Sequence, residues 1–229
     1  MKPQQNQYRG ALSASEIAEG MNVAHQNAVR LVRDARLLFD NKSYASAVAL
    51  SILAIEEAGK GPVLRGLALA HDEAELREAW RNYRSHTKKN VLWPMIDLYT
   101  KGARRANDFL PLFQSDAEHP FILDQLKQLS FYTDCLRKGH WSVPEEVATK
   151  EIAEDLLKIA EGLSHGRKVT TEEIDLWIQY IRPVWRTKDA SQALFEWDKE
   201  VRRRGLARKD SSVTMEQFFV DGFHAAKKA

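Results

Sequence analysis

Arg81, Asn82 and His86 bring together three side-chain types that RNA cleavage requires. On a helix, Asn82 and His86 share a face, and the long Arg81 side chain lies at the border of that face. An arginine binds a phosphate, an imidazole transfers protons and an amide orients either group. Such a site can deprotonate a 2′-hydroxyl and stabilise the charge at phosphorus without a metal ion. A charged helix surface would have the same pattern, and a single histidine would need a second copy across a symmetric dimer to supply both acid and base.

Glu56, Glu57 and Lys60 follow a strongly apolar stretch of the chain. Glu56 and Lys60 have the spacing of an ion pair within one helix. Because the preceding turns are apolar on all sides, we expect at least one of the two carboxylates to be half buried and to pair with Arg81 or His86 on a neighbouring helix. A glutamate there would orient the arginine or raise the pKa of the histidine, which is a supporting role.

A third segment mixes aromatic and charged residues, including Tyr132 and Asp134. Aromatic rings stack on nucleic-acid bases, so these two residues are candidates for RNA binding. For Trp141, in the same segment, we expect a place in the core. Lys88 and Lys89 add positive charge next to the first stretch, although basic clusters are also typical of solvated helix faces.

The composition and motifs of the chain limit the classes of function that it can have. The chain has 229 residues and a formal net charge of +2, with 34 Lys+Arg against 32 Asp+Glu. This balance neither indicates nor excludes nucleic-acid binding.

Cys135 is the single cysteine, which excludes an intrachain disulfide and a multi-cysteine zinc site. The sequence has no HExxH, GxGxxG or P-loop motif, so we expect no metal and no cofactor. It also has no apolar segment typical of a signal peptide or a membrane span, and we therefore expect a cytoplasmic protein.

Helical periodicity predicts an all-α chain, a bundle of antiparallel helices with short loops. Helix starts are indicated at Ser13, Asp72 and Thr170 by capping-box spacing, and Pro62 is expected to interrupt the second helix. Residues 119–139 and residues 142–166 are each interpreted as one helix. The predicted organisation is a disordered tail over residues 1–14, a helical domain over 15–167 and a C-terminal helical extension over 168–229.

Three segments together resemble the AbiV family of bacterial abortive-infection proteins, which belongs to the HEPN superfamily of helical domains. They are "NAVRLVRDARLLFDNKSYASAVALSILAIEEAGK", "WRNYRSHTKK" and "FYTDCLRKGHWSVP". The similarity covers residues 22–165. Its most distinctive part is "AIEEAGK" after an apolar helix, and the order of the other two segments strengthens it.

The resemblance implies a HEPN-like helical bundle that cleaves RNA, without a metal, at a homodimer interface. HEPN ribonucleases carry an arginine, a polar residue and then a histidine, and Arg81, Asn82 and His86 match that order. Arg81 would bind the scissile phosphate, His86 would transfer protons and Asn82 would orient them. Glu56 or Glu57 would lie beside the site, and Lys60 would add phosphate affinity.

The biological role that the resemblance implies is antiphage defence, with RNA as the substrate and a phage-encoded activator or an antitoxin as further partners. Two alternatives stay open. The chain could be a non-catalytic HEPN-type protein that senses a phage protein or binds nucleic acid. It could also be a dimeric scaffold in which the Arg/His pair is a salt-bridge element.

Overall fold

The computed structural model describes residues 7–85, 98, 102–103, 119–207 and 213–221. Within these ranges the chain is all-α apart from one short hairpin. The helices are α1 (Ala14–Asp40), α2 (Tyr44–Ala58), α3 (Lys60–Leu67), α4 (Glu73–Arg84), α5 (His119–Phe131), α6 (Pro144–Val147), α7 (Lys150–Leu163), α8 (Thr171–Ile181), α9 (Ala190–Arg203) and α10 (Met215–Asp221). Two-residue strands β1 (Cys135–Leu136) and β2 (His140–Trp141) pair antiparallel.

Helix α2 is the centre of the larger core. Its apolar side chains are buried around the whole helix, and it packs against α1, α5 and α7. A helix that is apolar on every face gains stability from burial only where other helices cover it on all sides. The turns before Glu56 are apolar on all sides in the sequence, and the neighbouring helices cover them as that pattern predicts.

The predicted helix starts agree with local capping. Ser13 and Glu16 form a reciprocal capping box before α1. Thr170 accepts a hydrogen bond from the Glu173 amide at the start of α8. The expected interruption near Pro62 is also present, because α2 ends at Ala58 and α3 begins at Lys60, which puts the proline in the first turn of α3 where it removes no helical hydrogen bond.

The single helix predicted over residues 119–139 is wrong. Helix α5 ends at Phe131, and a hairpin follows in which Cys135 pairs with Trp141. Lys138 and Gly139 both have positive φ at the hairpin tip, a backbone conformation that ends helices and favours tight turns. Gly139, at the end of that predicted helix, therefore lies at the tip of the hairpin.

The single helix predicted over residues 142–166 is also wrong. It divides into the short helix α6 and the longer α7, with Ala148 and Thr149 between them. The Thr149 side chain accepts a hydrogen bond from the Ile152 amide, which is the usual geometry of a helix N-cap. A capping residue in the middle of the segment starts a new helix because it satisfies amide groups that otherwise lack a partner.

Helix α8 packs into a second core cluster with α1, α3 and α4. Ile174 of α8 is fully buried there, together with Ile17 of α1 and Leu64 of α3. The Asn22 side chain donates to the Val169 carbonyl at 2.9 Å and accepts from the Val169 amide at 2.8 Å. The segment after residue 167 is thus in extensive contact with the helices that precede it. None of the described helices is long and apolar enough to cross a membrane.

Candidate functional site

Helix α4 carries two of the three candidate catalytic residues. Asp72 caps the helix by accepting hydrogen bonds from the Ala74 and Glu75 amides, each at 2.8 Å. The helix ends at Arg84, and the backbone turns into an extended conformation at Ser85. His86, Lys88 and Lys89 lie outside the described residues. Arg81 and Asn82 are therefore held in the last turn of a well-capped helix, close in sequence to His86.

Arg81 is exposed and lines an open pocket of about 690 Å³ together with Arg9, Arg77, Trp80 and Arg84. Among the residues that the structure describes, no carboxylate lies within ion-pair distance of Arg81. A guanidinium at an open pocket can bind an anion from outside the chain, and its planar geometry suits a phosphate.

Asn82 faces a different pocket. It lines a cavity of about 200 Å³ between α3, α4 and the turn after α8, together with Glu75, Glu78 and Arg186. Adjacent positions on a helix point about 100° apart, which accounts for the separation of Arg81 and Asn82. The described residues do not bring the arginine and the amide to one surface.

The chain before α1 lies against α4. The Trp80 indole donates to the Gly10 carbonyl at 2.9 Å, and Arg84 donates to the Tyr8 carbonyl at 2.6 Å. The Tyr8 and Trp80 rings meet edge to face, 6.1 Å apart. Part of the segment predicted to be disordered is thus in contact with α4, and these contacts put Arg9 beside Arg81.

The sequence predicts that at least one of the two carboxylates, Glu56 and Glu57, is half buried, and Glu56 is buried, with 3% of its surface exposed. The partner that the structure gives to it is Lys127 of α5, whose Nζ lies 2.6 Å from Glu56 Oε1 and 3.0 Å from Asp124 Oδ1. Burial lowers the pKa of Lys127, but the hydrogen bonds that its ammonium donates to Glu56 and Asp124 outweigh burial and raise the pKa above its ordinary value. The expected pairing of Glu56 with Arg81 is wrong, because Arg81 lies exposed at its pocket; the alternative partner, His86, lies outside the described residues.

Lys60 pairs with Glu57, at 2.6 Å, rather than with Glu56 as its spacing suggests. The reason is that α2 ends at Ala58, before Lys60, and that Glu56 is buried in the core. The Lys60 ammonium also lies over the Tyr83 ring of α4, 5.6 Å from its centre. Glu57 and Lys60 therefore link the end of α2 to α4, where they support the helix that carries Arg81.

Tyr132 and Asp134 lie in the segment that leads into the hairpin, and both are exposed. The exposed fraction is 63% for Tyr132 and 64% for Trp141, so the expectation that Trp141 belongs to the core is wrong. Asp134 accepts a hydrogen bond from the Cys135 amide, and the Ser142 hydroxyl accepts one from the Asp134 amide, both at 2.8 Å. The carboxylate of Asp134 thus shapes the entrance to the hairpin, and the aromatic rings beside it are accessible.

Sequence reasoning missed Lys127 and the three arginines around Arg81. Arg77, Arg81 and Arg84 follow a helical spacing that would have grouped them, whereas nothing local links Arg9 or Lys127 to their partners. Within the described ranges, no group of three or more His, Cys, Asp or Glu side chains is placed to hold a metal ion.

The all-α fold and the family match place the chain in a class, the HEPN-type helical domains. A family model described as AbiV, of the HEPN type, matches residues 16–165, which is more than half of the chain. The chain belongs to the AbiV family, as the sequence resemblance predicts. Neither the curated proteins nor the solved structures contain a match to it.

Proposed function

We propose that this AbiV-family protein is a metal-independent ribonuclease of antiphage defence, which cleaves RNA and thereby arrests translation in the infected cell. The observation that carries the proposal is the state of Arg81, which is exposed in an open pocket and has no carboxylate partner among the described residues. The planar guanidinium of an arginine in such a position has the donors that bind a phosphate.

Three side chains have separate roles in the proposed reaction. Arg81 holds the scissile phosphate and stabilises the charge that develops on it. His86 accepts the proton of the attacking 2′-hydroxyl, and its copy in a second subunit donates a proton to the leaving oxygen. Asn82 orients these groups. A homodimer is part of the proposal because one histidine cannot fill both roles at once, and sedimentation measurements of the molecular mass would test it.

Cleavage of total cellular RNA in the presence of a chelator tests the activity. We expect the wild-type chain to cut RNA, and the His86→Ala and Arg81→Ala variants to be at least about 100-fold slower, since a general acid or base and a group that stabilises the developing charge each typically contribute that much. The matched control is His71→Ala, which removes an exposed histidine from the turn before α4. His71→Ala should cleave like the wild type.

Circular dichroism must show that both site variants are folded for the comparison to hold. RNA cleavage at the wild-type rate by folded His86→Ala would exclude the proposed mechanism. Loss of toxicity in cells that express His86→Ala, with growth arrest by the wild type, would link the cleavage to defence.

A second candidate function is a non-catalytic protein that senses a phage protein or binds nucleic acid. Two observations favour it: Arg81 and Asn82 line different pockets, and Tyr132 and Trp141 are exposed at the hairpin. Exposed aromatic rings are common where a protein binds a partner. This candidate predicts that the purified protein cuts no RNA and that His86→Ala still protects cells from phage, which is the reverse of both results expected above.

A further inference from the structure

Four arginines share the pocket that Arg81 lines. Arg77, Arg81 and Arg84 belong to one face of α4 because they are spaced by four and three residues. Arg9 comes from the segment before α1 and reaches the same pocket. We call these four residues the arginine pocket. The assembly depends on tertiary contacts, since Arg9 lies far from α4 in sequence.

The positive charge of the arginine pocket is weakly neutralised. Within the described part of the chain, Arg9 and Arg81 have no carboxylate at ion-pair distance. Arg77 pairs with Glu73 at 3.3 Å, but the two side chains are 66% and 92% exposed. An ion pair that is so exposed contributes little, so an incoming anion can replace Glu73 at small cost. Similar charges on one helix face repel each other, and a bound polyanion would relieve that repulsion.

The base of the arginine pocket is already ordered. Trp80 is buried and hydrogen-bonded to Gly10. Arg84 donates to the Tyr8 and Trp80 carbonyls and lies 5.1 Å from the centre of the Trp80 ring. Carbonyl partners hold the guanidinium in place without cancelling its charge. A ligand therefore meets a preformed surface, which reduces the entropy that its binding costs.

We propose that the arginine pocket binds the backbone phosphates of an RNA strand on one side of the cleavage point. The inference rests on the proposed function, which assigns the scissile phosphate to Arg81, and it adds Arg9 and Arg77 as the residues that hold the neighbouring phosphates. Guanidinium groups bind phosphate through paired hydrogen bonds. Contacts to phosphate position a nucleic acid and carry no sequence information, so binding is sequence-tolerant and strongly dependent on salt.

Binding of an uncleavable RNA tests the inference separately from catalysis. The probe is a fluorescent oligoribonucleotide of mixed sequence in which every 2′-hydroxyl is methylated, titrated with the full chain at several salt concentrations. For the double variant Arg9→Ala, Arg77→Ala we expect at least about fivefold weaker binding and a slope of log affinity against log salt that is smaller by about 1.4, since each phosphate contact on a single strand contributes about 0.7.

The matched control is the double variant Arg30→Ala, Arg33→Ala on α1. It removes the same charge, and Arg30 also forms an exposed i,i+4 ion pair, with Asp34. We expect the control to bind like the wild type. The variant Arg77→Lys keeps the charge and should keep the salt dependence, which separates an electrostatic effect from a change in folding.

Equal weakening by the two double variants would overturn the inference, because the effect would then depend on net charge alone. Absence of salt-dependent RNA binding by the wild type would also overturn it and would favour an acidic protein as the ligand. Different results would contradict the ribonuclease and the arginine pocket. Absence of cleavage with intact binding at the arginine pocket rejects only the ribonuclease, and normal binding by Arg9→Ala, Arg77→Ala in a chain that cuts RNA rejects only the pocket.

Discussion

At the scale of single residues, Lys127 of α5 and Glu56 of α2 form an ion pair that connects the two helices. Lys127 is 5% exposed and Glu56 is 3% exposed, so their ion pair replaces part of the interaction that water would otherwise supply to each charge. Asp124 gives Lys127 a second carboxylate at the edge of the pair. The pair joins α2 to α5 and therefore fixes the helix that leads into the exposed hairpin.

Replacement of Lys127 by Met should destabilise the protein by about 3–5 kcal/mol, because it removes the Lys127 ion pair from a carboxylate that is almost fully buried. Urea unfolding measures the change. The double variant Glu56→Gln, Lys127→Met should recover most of the loss, since it removes both charges. The control Lys158→Met removes an exposed lysine paired with Glu154 and should have little effect. A Lys127→Met chain as stable as the control would contradict this account.

At the scale of elements, a series of ion pairs links helices α8 and α9. Glu200 accepts hydrogen bonds from Arg203 and Arg204, all at 2.6 Å, and Arg204 continues to Glu172 at 2.8 Å. The two arginines lower the pKa of Glu200 from 4.5 to about 2. The charged carboxylate is therefore favoured in the folded chain over the unfolded one.

The lowered pKa of Glu200 predicts a pH dependence of stability. Its contribution is fully present above pH 4.5 and is lost as the pH falls towards about 2, because the unfolded chain takes up the proton first. In urea unfolding across this window, Glu200→Gln should show a smaller fall in unfolding free energy than the wild type. The carboxyl resonance of Glu200, followed by NMR, should titrate near pH 2. An equal pH dependence in both chains would show that the arginines do not hold this carboxylate.

At the scale of the whole molecule, the segment after residue 165 shares a core with α1 and α3. The family match ends at residue 165, before this segment begins. Ile174 packs with Ile17 and Leu64. Glu173 is buried and pairs with Arg65 of α3 and, at 2.6 Å, with Arg167. The division of the chain into a domain over 15–167 and an extension stays a prediction, and these contacts make it testable.

A chain that ends at residue 165 should have a lower unfolding midpoint than the full chain and should bind a hydrophobic dye, because removal of α8 exposes the apolar cluster around Ile17. Thermal unfolding and dye fluorescence measure both effects. A control chain that ends at residue 213 lacks α10 and the residues that follow it, and should stay close to the full chain. If the chain ending at 165 unfolds at the same temperature as the full chain, residues 15–167 are an independent domain and the extension is accessory.

The sequence by itself determined the features that depend on neighbouring residues. The capping residues of α1 and α8, the break before Pro62, the buried position of Glu56 and the all-α class all follow from interactions over a few residues or from hydrophobic periodicity. The three sequence segments also predicted the AbiV family.

The tertiary structure decided which distant groups meet. It pairs Lys127 with Glu56 and brings Arg9 to the pocket that Arg81 lines. It places Asn82 at a different pocket from Arg81. It also ended α5 at Phe131, because the hairpin pairs Cys135 with Trp141 across a turn that helical periodicity does not reveal. Long-range contacts of this kind depend on how helices pack. Spacing within one helix limits the face on which a side chain lies, but it does not specify which residue from elsewhere in the chain will face it.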